Sequence, residues 1–206
     1  MREGTDPVLG GLLLAAGGSD RLGQPKQLIQ LAGESLLSRT VNLLLAQFSD
    51  LVVVTGAFAP AVRQQLQSPA VRIEHNEQWQ AGMGGSIAVG MRVVSDDLDG
   101  VLIMLCDQWR IDGNDLRALV QAWEKEPKTI ATASWGEILG PPVIFPGHLF
   151  GRLRQLRGPQ GAKSLVEQQS GICQVEIPNA QFDLDTDADL QIMRDWSLCR
   201  QEYGAG

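Results

Sequence analysis

The chain has 206 residues, 44% of them apolar and 20% charged, which suits one folded domain able to bury a sizeable core. A net charge of -7 speaks against a broad nucleic-acid surface, which needs clustered Lys and Arg, though it leaves room for one small basic pocket. Cys106, Cys173 and Cys199 are far apart, with no zinc spacing or disulfide framework. Residues 1–7 lack the apolar stretch of a signal peptide, and no apolar run is long enough to span a bilayer, so a cytoplasmic protein with no membrane partner is expected.

In chain order, Val8–Ala16 is a nearly continuous apolar run that ends in Gly17-Gly18. Such a run reads as a strand buried on both faces of a parallel sheet. Ser35–Phe48 reads as a helix, with Leu36, Leu37, Val41, Leu44 and Leu45 at helical spacing. Leu51–Thr55 is a second strand, Pro60–Leu66 a short helix and Val71–His75 a third strand. Gly82-Met83-Gly84-Gly85 breaks the chain before a helical pattern resumes over Ser86–Val94. Val101–Cys106 is a fourth strand, followed directly by Asp107, and Leu116–Glu124 is helical.

The remainder gives strands at Thr129–Ala133, Val143–Phe145 and Cys173–Ile177, and helices at Leu149–Leu156, Ala162–Gln168 and Thr186–Leu198. The Thr129–Phe145 region is irregular enough to hold a mixed strand. Alternation of strands and helices predicts an α/β fold with a mostly parallel sheet in one domain, with residues 1–7 and 201–206 expected to be flexible.

The strongest local signal runs from Leu14 through Ala15, Ala16, Gly17, Gly18, Ser19 and Arg21 to Lys26. A buried strand delivers a glycine-rich turn to the sheet edge. Its backbone N–H groups are able to cradle phosphate, and Arg21 and Lys26 supply positive charge. Ligands of open α/β sheets sit at the carboxyl ends of strands, where this loop lies. A Walker loop is excluded, because Gln24 rather than Lys follows Gly23, and no dinucleotide G-x-G-x-x-G run occurs here.

Leu14–Lys26 resembles the L-A-A-G-x-S-x-R-x-G-x-x-K signature of sugar-nucleotide and molybdopterin nucleotidyltransferases, and most of all their molybdenum cofactor cytidylyltransferase branch. The resemblance continues through Asn76–Trp79 with Gly82–Ser86, Cys106-Asp107-Gln108, Gly140–Phe145, Gly158–Lys163 and Asp183–Thr186. It implies a three-layer, Rossmann-like, nucleotide-diphospho-sugar transferase (GT-A-like) fold. It also implies Mg2+-dependent transfer of CMP from CTP to a molybdopterin-type cofactor, releasing pyrophosphate, with a molybdoenzyme as eventual recipient.

In that reading Arg21, Lys26 and Asp107 are catalytic. Leu14 to Ser19, Arg21, Lys26, Gly82 and Ser86 bind the nucleotide. Asp107 and Asp185, with Asp183 as second choice, hold the metal, and Lys163 meets the acceptor phosphate. Each position has a plainer alternative. Asp107 and Asp185 are also suited to capping helices, Gly82–Ser86 to an ordinary helix start, and Lys163 to a solvated face. Trp109, in place of the branch's usual proline, and Pro141, in place of a polar residue, depart from the pattern where the acceptor would bind. Two rival functions stay open: transfer of another nucleotide to a different small phosphorylated acceptor, and a non-catalytic nucleotide or cofactor carrier.

Overall fold

The computed structural model describes residues 7–66 and 68–202. Among these residues nine strands form: β1 (Leu9–Ala15), β2 (Gln30–Leu31), β3 (Glu34–Ser35), β4 (Leu51–Thr55), β5 (Val71–His75), β6 (Gly100–Leu105), β7 (Ile130–Trp135), β8 (Ile138–Pro146) and β9 (Ile172–Glu176). Seven of them make one sheet in the order β5-β4-β1-β6-β8-β7-β9, and β2 and β3 form a separate small hairpin. Within the large sheet, β8 runs against both its neighbours, and every other pairing is parallel.

The helices are α1 (Leu36–Leu45), α2 (Ala59–Gln65), α3 (Met83–Met91), α4 (Gly113–Lys125), α5 (Phe150–Leu153), α6 (Lys163–Glu167) and α7 (Asp187–Glu202). The period-two alternation of β1 divides the core. Leu13 and Ala15 point to one face, where Leu37, Val41 and Leu44 of α1 and Trp123 of α4 pack. Leu12 and Leu14 point to the other, against Ile87 and Met91 of α3 and Phe150 and Leu153 of α5. The three-layer, mostly parallel sheet expected from the sequence is therefore present. Local caps agree with it: Ser35 Oγ accepts from Ser38 N at the start of α1, and Asp112 and Asp115 form a reciprocal capping box on α4.

A third cluster, of Leu22, Leu31, Leu36, Trp109, Leu184, Leu190 and Met193, fastens the first loop and α7 to the end of the sheet. Trp109 is 2% exposed there and stands edge-on to Phe182 and Trp196. It is a core residue and lines neither cavity described below, so this departure from the family pattern serves packing.

Several boundaries differ from expectation. The helix expected from Ser86 begins at Met83, because Gly84 N finds an acceptor outside the helix, in Gly158 O at 2.9 Å. The short expected strand Val143–Phe145 is part of the nine-residue β8. Its pairing with β7 jumps from Thr132↔Val143 to Ala133↔Gly140, so Pro141 and Pro142 fall in a bulge where no ladder N–H is needed. The helix expected over Leu149–Leu156 is shortened to α5 and preceded by a 3-10 turn over Gly147–Leu149, and the β2–β3 hairpin lies in what reads as a polar loop. The helix α7 runs on to Glu202, into the tail expected to fray, while the expectations for residues 1–6 and 203–206 lie outside the described residues.

Gly56, just after β4, sets how closely the second strand's loop approaches the first. A Cβ there would lie 2.4 Å from the Ala16 carbonyl oxygen and 2.8 Å from Trp79 Cβ. A Cβ on Gly17 would meet nothing within 4 Å. Gly56→Ala should therefore lower stability by about 1–3 kcal/mol through overpacking, and Gly17→Ala should leave the urea midpoint nearly unchanged. Equal midpoints for the two variants would contradict this account.

Candidate active site

The strand order reverses direction between β1 and β6, the switch point at which open α/β sheets bind ligands. The chain leaves β1 and is held by its own polar groups. Leu22 N and Gly23 N both donate to Ser19 O at 3.0 Å, and Lys26 N donates to Ser19 Oγ at 3.2 Å. Beneath the loop, the buried Gln27 donates Nε2 to Ala15 O at 3.1 Å and to Gly17 O at 2.9 Å. One side chain thereby occupies two carbonyls of the glycine turn and fixes its path.

The opposite wall is the end of β6. Asp107 is 8% exposed, and its backbone carbonyl accepts from Trp109 N at 2.9 Å and from Leu184 N at 3.1 Å. Gln108 forms an isolated antiparallel bridge with Asp183 and donates Nε2 to Pro141 O at 2.7 Å. The Asp183–Asp185 segment is thus docked along the Asp107–Gln108 turn. Leu184 is fully buried in the third cluster, and the acids flanking it come within electrostatic range of Asp107.

Lys26 joins these walls. Its Nζ donates to Asp107 Oδ2 and to Asp185 Oδ1, the latter at 2.9 Å. Arg21, whose side chain is 70% exposed, donates to Asp185 Oδ2 at 2.6 Å. Burial works against the Lys26 charge, yet the charge of Asp107 and the hydrogen bonds of both carboxylates outweigh it and raise the ammonium's pKa above the ordinary lysine value. Burial likewise opposes the Asp185 charge and is outweighed by Lys26 and Arg21, so its pKa falls. Asp183 has no such cation in contact; burial first, then the charges of Asp107 and Asp185, push it up to about 7.

Capping of α7 does not use the Asp185 carboxylate. Asp185 N, Thr186 N and Thr186 Oγ1 all donate to Asp189 Oδ2, and Thr186 Oγ1 accepts from Asp189 N. Asp107 is likewise free of capping, since Asp112 caps the next helix.

Between the walls lies a cavity of about 320 Å³. Leu14, Ala15, Ala16, Gly17, Lys26, Gly82, Ser86 and Asp107 all line it, as do Gln27, Trp79, Met83 and Pro159, which the sequence reading assigns no role at the site. Gly18 sits against Trp79, where a Cβ would be 2.7 Å from the indole. Ser19 and Asp185 adjoin this cavity through their bonds to Lys26, and Arg21 through Asp185, whereas Asp183 lines no part of it and feels the charge of Asp107. Gly82 has φ +115 and lies against the Gly158–Pro159 backbone, so any side chain there is both strained and blocked. The plain role of Gly82–Ser86 is thus partly real: Gly84 N is taken by Gly158 O, and Ser86 Oγ accepts from Asn76 Nδ2 at 3.0 Å.

A larger cavity of about 550 Å³ shares Met83 and Leu105 with the first and is walled by Ile103, Val143, Phe145 and Ile138. Lys163, 74% exposed and 3.8 Å from Glu167, lines this cavity and is absent from the lining of the one that holds Lys26. Pro141 lines this cavity too.

The donor set suits a hard divalent cation. Asp107 Oδ1 is buried without a hydrogen-bond partner, and Asp185 presents both oxygens to cations. Among the described residues, no three His, Cys, Asp or Glu side chains are arranged to hold a metal by themselves. Two carboxylates plus ligand phosphates is the usual Mg2+ arrangement, so the protein's share is of the right kind.

Residues 11–172 match the family model described as the MobA-like NTP transferase domain. The purine catabolism protein PucB of Bacillus subtilis is 27% identical over 91% of this chain and 97% of its own length. A probable molybdenum cofactor guanylyltransferase of Rhodopirellula baltica is 33% identical over 65% of this chain and 64% of its own. Among solved structures, Rv0371c of Mycobacterium tuberculosis in complex with manganese superposes with TM-score 0.76 at 25% identity, covering 91% of this chain and 98% of that one. A nucleotidyl transferase of Methanothermobacter shares the fold, with TM-score 0.76 at 21% identity over 93% and 98% of the two chains. No described helix is long and apolar enough to cross a membrane. With the glycine loop, the switch-point cavity and the Lys26 cluster in place, the chain belongs to the MobA-like NTP transferase family and is a nucleotidyltransferase.

Proposed function

We propose that the enzyme transfers CMP from CTP to a molybdopterin-type acceptor with the help of Mg2+, releasing pyrophosphate. The observation that carries this reading is the Lys26 ammonium set between two carboxylates at the edge of the glycine-loop cavity. That grouping supplies what nucleotidyl transfer needs: a backbone cradle, mobile positive charge and a pair of hard anionic ligands.

An oxygen of the acceptor phosphate attacks the α-phosphorus, the bond to the bridging oxygen breaks, and pyrophosphate departs with the electron pair. Gly17 and Gly18 admit the triphosphate to the backbone of the turn, which Gln27 holds in place. Arg21 and Lys26 neutralise charge on the phosphates as it builds on the leaving group. Asp107 and Asp185 would hold a divalent ion, which would supply Lewis-acid stabilisation of the charge that builds on the triphosphate. The larger apolar cavity, which shares Met83 and Leu105 with the first, receives the body of the acceptor, with Lys163 in its lining for an anionic end. The cytoplasm, where pterin cofactors would pass to a recipient molybdoenzyme, is the setting proposed for this activity.

CTP is favoured by Ala15 and Ala16, which line the cavity with methyl groups and leave base contacts to the backbone. A second reading is GTP, because a relative is named as a probable guanylyltransferase. A competition assay with equal CTP and GTP decides between them. CTP is expected to be consumed preferentially, and a clear preference for GTP would discard the cytidylyl assignment.

Lys26→Ala should cut pyrophosphate release by roughly 10²-fold or more, with the fold retained. Near wild-type turnover would remove Lys26 from the mechanism. Asp107→Asn should abolish the metal-dependent rate, since a neutral amide is a poor ligand for a hard cation, and chelation of the wild type should have the same effect. Full activity in excess chelator would refute the Asp107 assignment.

A further inference from the structure

The Lys26 cluster is a closed arrangement. Asp107 offers two oxygens: Oδ2 accepts from Lys26 Nζ, and Oδ1 is shut off from solvent with no partner. Asp185 is occupied on both oxygens, by Lys26 on Oδ1 and Arg21 on Oδ2. The four groups, two carboxylates and two cations, are neutral as a set. A metal ion arriving alone would meet one unpartnered oxygen, Asp107 Oδ1, which is closed to solvent, and would have to displace the Lys26 ammonium, 16% exposed, from both its carboxylates.

A triphosphate changes this balance. It supplies anionic oxygens on the cavity side, where Lys26 already lines the wall, and so gives the ammonium a new partner as strong as the old ones. It also supplies the oxygen ligands that two carboxylates lack for six-coordinate Mg2+. Only the lysine side chain has to move, because Lys26 N stays anchored to Ser19 Oγ.

We propose that Lys26 is a built-in counter-cation that keeps the Asp107–Asp185 pair closed to divalent metal until a triphosphate draws it away, so that metal enters together with the nucleotide. This rests on the metal-assisted transferase reading above. It gives Lys26 a second task, distinct from neutralising the transition state: it suppresses metal binding by the resting enzyme. Arg21, exposed on the other side of Asp185, plays a weaker part in the same exchange.

The test is titration of the full chain with Mn2+ and no nucleotide, following free Mn2+ by electron paramagnetic resonance. Wild type, Lys26→Met and Lys26→Met with Asp185→Asn are compared, and circular dichroism checks that each is folded. Lys26→Gln replaces the methionine variant if that fails to fold. Removing the ammonium should tighten Mn2+ binding by about tenfold or more, and the added Asp185→Asn should abolish the gain. Equal Mn2+ affinity in wild type and Lys26→Met overturns the proposal, as does a gain that survives Asp185→Asn. Pyrophosphate release by the wild type is measured separately. Release with no affinity change in Lys26→Met refutes the counter-cation role alone. An affinity gain without release from any NTP refutes the proposed reaction and leaves the counter-cation role standing.

Discussion

The Lys26 ammonium shared between Asp107 and Asp185 is the contact on which the site's architecture turns. It ties together three stretches remote in sequence: the loop after the first strand, the end of β6 and the approach to the last helix. The Lys26 and Asp107 charges are the most buried of the three, and removing Lys26 would leave the Asp107 carboxylate desolvated with no cation bonded to it. Much of the surrounding structure exists to bring them together. Gln27 sets the loop, Gln108 and Leu184 dock the acidic segment, and the third hydrophobic cluster fastens both to the end of the sheet.

The larger cavity, proposed above to receive the acceptor, is built differently. Apart from groups at its rim, the larger cavity is apolar, and its far wall comes from the one strand that runs against its neighbours. The proline bulge in β8 interrupts the ladder beside Gln108, so the same irregularity that shapes this cavity's wall also receives a hydrogen bond from the Asp107–Gln108 turn. The two halves of the site are joined by this contact as well as by Met83 and Leu105, which belong to both cavities.

The parallel part of the fold was readable because strands buried on both faces leave uninterrupted apolar runs, as in Val8–Ala16 and Val101–Cys106. The first loop was readable because its chemistry is contiguous from Leu14 to Lys26. What resisted was whatever depends on a distant partner. Gln27 looks like any polar residue in a loop until Ala15 O and Gly17 O are seen to lie within its reach. Pro141 and Pro142 argue against a strand unless a bulge removes the demand for N–H donors. Whether Asp185 caps a helix or faces a cation was undecidable from spacing, since Asp189, four residues on, turns out to do the capping. Trp109 invited a place near the acceptor through its neighbours in sequence, yet its ring turns into the core formed by α7.

The order in which the chain is made bears on the last of these elements. Everything needed for the sheet has been synthesised once β9 is complete at Glu176, and the region matched by the family model stops earlier still, at residue 172. Asp183, Leu184 and Asp185 follow, held down by a helix that is the last described element. Of the three charges that meet at the proposed site, the last to be made is therefore the one on Asp185, and it comes after every strand of the scaffold that it completes.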